Sequence, residues 1–278
     1  MPSFTINEIG ASLVFSGLFI VVRKIIETSI ADLAIKHFAR PGSEILRNPK
    51  TEHKYREGCW KLFIHAWIVL YGLIALLPSE FLYDSQQLWI DALSHKMTPV
   101  YYWYYMIELG YYFSEVLTHC VAVKRKDFII MLLHHVVTIL LIVTSYHNNL
   151  FRVGMLMMLF HDLMDPFLEL AKIGKYLKLQ KFSYLMFFLL TITYFYTRLY
   201  LIPFYVWRSV IYEVPVVLLP TLDLTDGHFM RLFYFCNLLI AILMALNCVW
   251  AYFLLQAIVR FTSGRELADT RSDDEHND

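Results

Sequence analysis

Seven long apolar stretches, separated by short charged segments, constrain most strongly how this chain can fold. Each stretch is long enough to cross about 30 Å of hydrocarbon as a helix. They occupy residues 9–30, 60–78, 99–123, 127–147, 150–171, 182–207 and 229–260. Since 58% of the 278 residues are hydrophobic and 17% are aromatic, the composition is too apolar for a soluble domain. The sequence therefore predicts an all-α polytopic membrane helix bundle of about seven transmembrane helices. Six crossings are the alternative, because Arg23, Lys24 and Glu27 interrupt the first stretch.

The connecting segments alternate in charge, and this alternation predicts the orientation of the bundle. The segments after the first, third and fifth stretches are rich in Lys and Arg, whereas the other segments carry mainly Asp and Glu. Because basic loops stay in the cytosol, we expect a lumenal N-terminus and a cytosolic C-terminus. The predicted organisation is an anchor helix at 1–36, a basic cytosolic linker at 37–59, a catalytic helix bundle at 60–262 and an acidic cytosolic tail at 263–278.

Four ionisable side chains lie inside two consecutive apolar stretches: His134 and His135 in the fourth, Asp162 and Asp165 in the fifth. Ionisable groups at bilayer depth are costly and usually functional, although a single one often only bridges helices. The short connection between the stretches predicts antiparallel neighbours, and helix rise predicts similar depths for the four groups. We therefore expect an imidazole and a carboxylate to meet in a cavity open to the cytosol, with Thr138 close enough to hydrogen-bond either histidine. Such a site favours acid-base or acyl-transfer chemistry.

The spacing of polar residues in the fifth stretch predicts one polar helix face. Asp162, Asp165, Glu169 and Lys172 are separated by three, four and three residues, and His161 lies one turn before Asp165. This face is expected to point toward the histidine pair. Because adjacent residues differ by about 100° around a helix, spacing does not decide which histidine faces it.

Residues 134–172 read HHVVTILLIVTSYHNNLFRVGMLMMLFHDLMDPFLELAK. This run resembles the signature of the TLC-domain ceramide synthases, in which HHxxT, SYxxNxxRxG and HDxxDxxLExAK follow one another. The segments WYYMIELGYYFS at 103–114, KRKDF at 124–128 and TRLYLIPF at 197–204 are similar to other parts of that family. The resemblance extends over about residues 50–278. Because the segment 37–60 has only 24 residues, the chain resembles the short form without a homeobox-like region.

The resemblance implies a ceramide synthase of the endoplasmic reticulum membrane, which transfers a fatty acyl group from acyl-CoA to the amine of sphinganine or sphingosine. Acyl-CoA is then a co-substrate, and neither a cofactor nor a metal is predicted. Membrane lipids are expected partners, nucleic acid is not, and homo- or heterodimers stay open. The resemblance makes His134, His135, Asp162 and Asp165 the catalytic group. The residues expected to bind substrate or shape the site are Trp103, Glu108, Ser114, Glu115, Thr138, Ser145, Asn149, Arg152, His161, Glu169, Lys172 and Arg198.

Two catalytic routes stay open at this point. One histidine of the pair either attacks the thioester to give an acyl-imidazole or acts as a general base for direct transfer. Asp162 or Asp165 would orient that imidazole. Lys124, Arg125 and Lys126 are expected to bind the phosphates of CoA.

Some features limit how far the resemblance extends. Glu115 is an additional carboxylate that departs from the family pattern, and it either tunes the site or pairs with His119 one turn on. The segment 211–227 matches the family's region linked to acyl-chain length, but its residues assign no length. A di-iron hydroxylase or desaturase would need several HxxHH clusters, whereas this chain has one HH pair. A non-catalytic TLC-domain lipid-binding or transport protein is the alternative function.

Overall fold

The computed structural model describes residues 5–121, 128–221 and 227–263, and the regular secondary structure of these residues is entirely helical. The α-helices are α1 (Ile6–Ile25), α2 (Ala31–Phe38), α3 (Pro49–Leu76), α4 (Pro99–Val121), α5 (Phe128–His147), α6 (Phe151–Asp162), α7 (Asp165–Tyr176), α8 (Gln180–Tyr196), α9 (Arg208–Tyr212) and α10 (His228–Thr262). Three π-helical segments, Ile26–Ile30, Thr197–Trp207 and Val214–Leu218, continue from these helices or join them. Short 3-10 turns occupy Glu44–Leu46, Glu80–Leu82, Ser85–Leu88 and Leu219–Thr221.

Local sequence signals begin the first long helices. The Thr5 side chain accepts a hydrogen bond from the amide of Asn7, and the Glu8 carboxylate accepts one from the Thr5 amide, so these two amides at the start of α1 are satisfied. Asn48 caps α3 in the same way, and Pro49 follows in its first turn, where a missing N–H costs nothing. The first eleven residues of α3 belong to the segment predicted as a linker at 37–59.

Five helical stretches are long and apolar enough to cross a membrane: Ile6–Phe38, Pro49–Leu76, Phe128–His147, Gln180–Leu218 and His228–Thr262. The chain is therefore a polytopic helical membrane protein. The predicted third stretch is also a helix, α4, but its tyrosines and two carboxylates lower its hydropathy, and it is not among the five. The count of seven crossings and the orientation of the termini stay predictions.

The predicted fifth stretch, 150–171, is broken rather than continuous. α6 ends at Asp162 and α7 begins at Asp165, with Leu163 and Met164 between them. Pro166, in the first turn of α7, has no N–H to donate, and its ring would clash with the carbonyl four residues earlier in an unbroken helix. The prediction of one continuous helix is therefore wrong here. Asp162 and Asp165 flank the break instead of lying along one helix face.

The tyrosine-rich helix α4 lies inside the bundle, packed against α1, α3, α5 and α6. Its residues Tyr104, Tyr105, Met106 and Leu109 are completely buried. Large apolar side chains on the outer helices are exposed instead, as expected for surfaces that meet lipid. Examples are Leu70, Ile74, Val216 and Leu238. The charged residues of α4 and of the α6–α7 break thus lie within the bundle, away from that apolar surface.

Candidate active site

The two adjacent histidines of α5 are buried and face different neighbours. His134 is 7% exposed and His135 is 5% exposed, and the Nδ1 atom of each has no hydrogen-bond partner in the described parts of the chain. The His134 ring lies with its centroid 5.1 Å from that of Trp250 and 6.2 Å from that of His161. The His135 ring lies 5.8 Å from that of His119. Both rings also lie near that of Tyr112, with centroids 6.3 Å from His134 and 5.8 Å from His135, so the two buried imidazoles share one neighbour and differ in the others.

The two aspartates meet different groups at the α6–α7 break. Asp162 is 4% exposed, and its Oδ2 has no hydrogen-bond partner among the residues described. The Oδ1 of Asp165 lies 3.4 Å from Nη2 of Arg198, and its Oδ2 lies 3.7 Å from Nδ1 of His65. Within the described ranges, no hydrogen bond joins either aspartate to the histidine pair of α5. The imidazole beside Asp165 is thus that of His65 on α3, not one of the predicted pair.

His65 is the main site residue that the sequence analysis missed. Its Nε2 lies 3.0 Å from the hydroxyl of Tyr111 on α4, while its Nδ1 has no hydrogen-bond partner within the described chain. The signal was present, because His65 is an ionisable residue inside the apolar stretch 60–78. Unlike His134 and His135, it has no polar neighbour in the sequence that marks it.

Arg198 holds the end of α6 through its guanidinium group. Its Nε and Nη2 both donate to the carbonyl oxygen of His161, at 3.0 and 2.5 Å. The guanidinium carbon lies 5.6 Å from the ring centroid of Tyr194 and 6.0 Å from that of Trp250. Together with its contact to Asp165, this makes Arg198 a buried cation that fixes both sides of the α6–α7 break.

Glu108 adds a third carboxylate to this region. It is completely buried on α4, next to Asp162 and to the hydroxyl of Tyr104. Neither Glu108 oxygen has a hydrogen-bond partner in the described residues. Glu108 therefore lies beside Asp162, while the guanidinium of Arg198 contacts Asp165.

His161 is fixed on both ring nitrogens. Its Nδ1 lies 2.8 Å from the carbonyl of Met157, so this nitrogen carries the proton that is donated. Its Nε2 can then accept from the side-chain amide of Asn247, 3.5 Å away on α10. Asn247 is completely buried, and its backbone carbonyl oxygen accepts a hydrogen bond from the hydroxyl of Tyr194 at 2.6 Å. The sequence analysis predicted His161 as a site residue and missed Asn247.

An apolar pocket with a cavity volume of about 80 Å³ lies beside the histidine pair. Tyr112, Thr138 and His161 line it near the pair, and Trp89 and Val214 line it further away. The Thr138 hydroxyl has no hydrogen-bond partner among the described side chains, so it does not bond either histidine. The pocket thus extends from the apolar interior of the helix bundle to the neighbourhood of His134 and His135.

Two residues of the signature, Asn149 and Arg152, shape the far end of this pocket. Asn149 has a left-handed backbone, with φ of 59°, at the turn between α5 and α6. Its side-chain amide donates to three loop carbonyls at 2.9 to 3.0 Å, those of Ala92, Leu93 and His95. Arg152 donates to two more, those of Gln87 and Ile90. These bonds hold the loop that carries Trp89, so both residues position the pocket wall and lie away from the histidine pair.

The other predicted site residues are spread around the bundle. Ser145 lines the pocket and lies 3.0 Å from the hydroxyl of Tyr105. Ser114 bonds a backbone carbonyl of its own helix, and Glu169 forms an ion pair of 3.0 Å with Lys172. Trp103 is 45% exposed on the outer surface of α4. Among these, Ser145 is the residue that lines the apolar pocket.

Glu115 is buried, with its charge facing Arg23 and Lys61. The alternative that it pairs with His119 has no support from the structure: within the described chain, the Nε2 of His119 contacts the carbonyl of Phe128. Lys124, Arg125 and Lys126, predicted to bind CoA phosphates, lie outside the described residues.

The chain is similar to curated ceramide synthases. It is 31% identical over 225 residues to ceramide synthase 3 of Mus musculus, which covers 80% of this chain and 56% of that protein. It is 33% identical over 229 residues to ceramide synthase 5 of Homo sapiens, covering 81% and 55%. With ceramide synthase hyl-1 of Caenorhabditis elegans the identity is 35% over 229 residues, covering 79% and 61%. The alignments thus span somewhat more than half the length of these relatives.

A family model described as the TLC domain matches residues 54–256. That range extends from the first turns of α3 to near the end of α10, and it contains the histidine pair, both aspartates, His65 and the apolar pocket. The match covers well over half of the chain. The chain therefore belongs to the TLC-domain family.

Proposed function

We propose that this protein is a ceramide synthase that transfers a fatty acyl group from acyl-CoA to the amine of a sphingoid long-chain base, sphinganine or sphingosine. The names of the similar proteins support this assignment. The proposal also takes the protein to reside in the endoplasmic reticulum membrane, to cross it about seven times, and to have a lumenal N-terminus and a cytosolic C-terminus. Its basic and acidic connecting segments support that orientation.

The observation that carries the proposal is the apolar pocket that ends beside buried imidazoles. Nearly all of its lining is apolar, as a fatty acyl chain requires, and Tyr112, Thr138 and His161 line it near the histidine pair. An acyl chain placed in this pocket would bring its thioester carbon to the end lined by His161, whose ring contacts that of His134. Positioning a reactive carbonyl beside a nucleophile or base is a large part of what such a transfer needs.

Within this proposal, His134 is the reacting imidazole. Its ring contacts His161 at the pocket end, whereas the ring of His135 contacts His119 on the other side. The imidazole nitrogen attacks the thioester carbon, the C–S bond breaks, and CoA leaves as its thiol after taking up the imidazole proton. The amine of the sphingoid base then attacks the acyl-imidazole, the amide forms as the C–N bond to His134 breaks, and the proton lost by the amine returns to the imidazole. Direct transfer, with His134 as general base, is the competing route.

The neighbouring groups stabilise the oxyanion or position a ring in this scheme. The hydroxyl of Thr138, which has no hydrogen-bond partner among the described residues and lines the pocket, is the proposed donor to the oxyanion on the thioester oxygen. Arg198 and Asp165 do not contact the pair, but they fix the backbone and hence the ring of His161. Acyl-CoA is a co-substrate, the transfer draws on no cofactor, and the proposed phosphate ligands are Lys124, Arg125 and Lys126. Membrane lipids are further partners, and homo- or heterodimers are compatible with the proposal.

Microsomes from cells without endogenous ceramide synthase test this function. Wild-type protein is expected to convert sphinganine and a panel of acyl-CoAs to dihydroceramide, and His134→Ala is expected to abolish the product. His135→Ala and Asp162→Ala are assayed in parallel at matched protein levels. A wild-type protein that retains lipid but forms no amide would contradict the proposal and favour a lipid-binding or transport protein.

Incubation with labelled acyl-CoA and no sphingoid base separates the two routes. The covalent route predicts a labelled protein that loses its label when sphinganine is added. The label is expected to persist in His135→Ala and to disappear in His134→Ala. If wild-type protein makes dihydroceramide yet never acquires label, direct transfer is the correct route.

A further inference from the structure

Three side chains at the α6–α7 break form a compact donor cluster. One ligand atom from each of His65, Asp162 and Asp165 lies within 4.8 Å of the other two. Bonds of about 2.0–2.2 Å to a single ion would place its ligand atoms roughly 3–4.4 Å apart, so small side-chain adjustments suffice. The distance of 3.7 Å between Nδ1 of His65 and Oδ2 of Asp165 already falls in this range of ligand-to-ligand distances.

The orientation of His65 is that of a metal ligand. In metal sites the second ring nitrogen usually donates to a neighbouring acceptor, which fixes the tautomer and turns the lone pair toward the ion. Here Nε2 meets the hydroxyl of Tyr111 at 3.0 Å, and Nδ1 faces the cluster without a hydrogen-bond partner in the described residues. Asp165 is held in a similar way, because Arg198 contacts its Oδ1 and leaves Oδ2 for an ion.

Unpartnered buried oxygens at the α6–α7 break favour the binding of a cation. Oδ2 of Asp162, which is 4% exposed, and both carboxylate oxygens of the completely buried Glu108 have no hydrogen-bond partner among the described residues. Arg198 supplies one positive charge to the three carboxylates, and the imidazole of His65 can be neutral. A carboxylate that stays ionised without a partner inside the bundle is costly, and a bound cation would offset that cost.

We propose that His65, Asp162 and Asp165 bind one divalent transition-metal ion, which ties α3 to the break between α6 and α7. Mixed imidazole and carboxylate donors suit Zn²⁺, Mn²⁺ or Fe²⁺ better than Mg²⁺ or Ca²⁺. The sequence analysis predicted no metal here because His65 lies about a hundred residues before the aspartates. The site does not depend on the acyl transfer proposed above, since an ion can be measured without substrate.

The test uses the full-length protein in detergent, purified through a non-histidine affinity tag and without chelator. Elemental analysis is expected to find about one transition-metal ion per chain. After removal of the ion with chelator, Zn²⁺ and Co²⁺ are titrated back, and bound Co²⁺ is detected by its d–d absorption. His65→Gln and Asp165→Asn are expected to lose the ion and the spectrum. His53→Gln, which removes an exposed histidine from the same helix, is expected to keep both.

Two further variants keep the result interpretable if His65→Gln does not fold. His65→Asp retains a ligand and is expected to bind Co²⁺ with an altered spectrum. Tyr111→Phe retains all three ligands but removes the partner of Nε2, and loss of such a partner typically weakens metal binding roughly 10–100-fold. The proposal is overturned if wild-type protein shows no saturable Zn²⁺ or Co²⁺ binding, or if His65→Gln binds as tightly as His53→Gln. Stabilisation of the protein by sphinganine but not by Zn²⁺ would equally overturn it.

Discussion

The Nδ1 atom of His65 lies 3.7 Å from Oδ2 of Asp165, so the imidazole that meets this carboxylate comes from α3 and not from the histidine pair on α5. This separates two parts of the candidate site. The pair adjoins the apolar pocket through His161, whereas both aspartates, Glu108 and Arg198 form a charged group at the α6–α7 break. Substitutions in the two parts should therefore have different consequences.

Replacement of Arg198 by lysine should destabilise the protein although the charge is retained. Lysine cannot reproduce the two guanidinium hydrogen bonds to the carbonyl of His161 or the planar contacts with Tyr194 and Trp250. A hydrogen bond to a charged group contributes about 1.5–3 kcal/mol, and we expect a loss of that order in thermal unfolding in detergent. Arg208→Lys, at a cation that is 56% exposed, is the matched control and should unfold like wild type. Equal melting temperatures for the two variants would contradict this prediction.

Asn149 should be sensitive to both its side chain and its backbone conformation. Asn149→Gly keeps the left-handed conformation but loses the bonds to the loop carbonyls, which we expect to cost roughly 1–3 kcal/mol. Asn149→Ala loses the same bonds and adds the strain of a left-handed alanine, about 1 kcal/mol more. Thermal unfolding of the two variants measures the difference. Equal melting temperatures for Asn149→Ala and Asn149→Gly would show that the left-handed backbone, with φ of 59°, does not contribute to the preference for asparagine at this position.

Gly154 should not tolerate a methyl group. A Cβ at this position would lie 2.0 Å from the hydroxyl of Tyr105 and 2.6 Å from Oγ of Ser145, inside the wall of the apolar pocket. Overpacking of this kind costs about 1–3 kcal/mol, so Gly154→Ala should unfold at lower temperature. Gly17→Ala is the control, because a Cβ there meets nothing within 4 Å and alanine favours the helix. A wild-type melting temperature for Gly154→Ala would show that the pocket wall adapts.

The far end of the pocket should limit acyl-chain length if the proposed function is correct. Val214 is 2% exposed and lines that end, so Val214→Phe should shorten the space for the terminal carbons. Each methylene that is no longer buried costs about 0.8 kcal/mol, so the use of the longer acyl-CoA relative to the shorter one should fall roughly fourfold per methylene. Ile211→Phe, at a residue that is 41% exposed, should leave the preference unchanged. Competition assays with mixed acyl-CoAs measure the relative use of long and short substrates. An equal loss of activity for all acyl-chain lengths would argue against the proposed orientation of the acyl chain in the pocket.

The sequence predicted the features that depend on local composition and spacing. Apolar length predicted a helical membrane protein, and the run at 134–172 predicted the family to which the TLC-domain match assigns the chain. The short connection at 148–150 predicted that α5 and α6 are neighbours, which they are. Pro166 also indicates the helix break at Leu163 and Met164. The prediction of one continuous helix followed instead from the apolar length of the stretch 150–171.

The contacts of the residues in the run 134–172 could not be predicted from their order in the sequence. Asn149 and Arg152 belong to the same run as the histidines, yet they bind a loop formed by residues 87–95. That loop lies more than fifty residues earlier in the chain, and spacing along a helix carries no information about such contacts.

The sequence by itself determined the class of protein, the family and the buried pair His134 and His135, since hydropathy and motif order are properties of contiguous residues. Only the tertiary structure decided which groups meet, because contacts between helices depend on the rotation and packing of each one. It placed His65 beside Asp165, Asn247 beside His161 and an apolar pocket beside the pair.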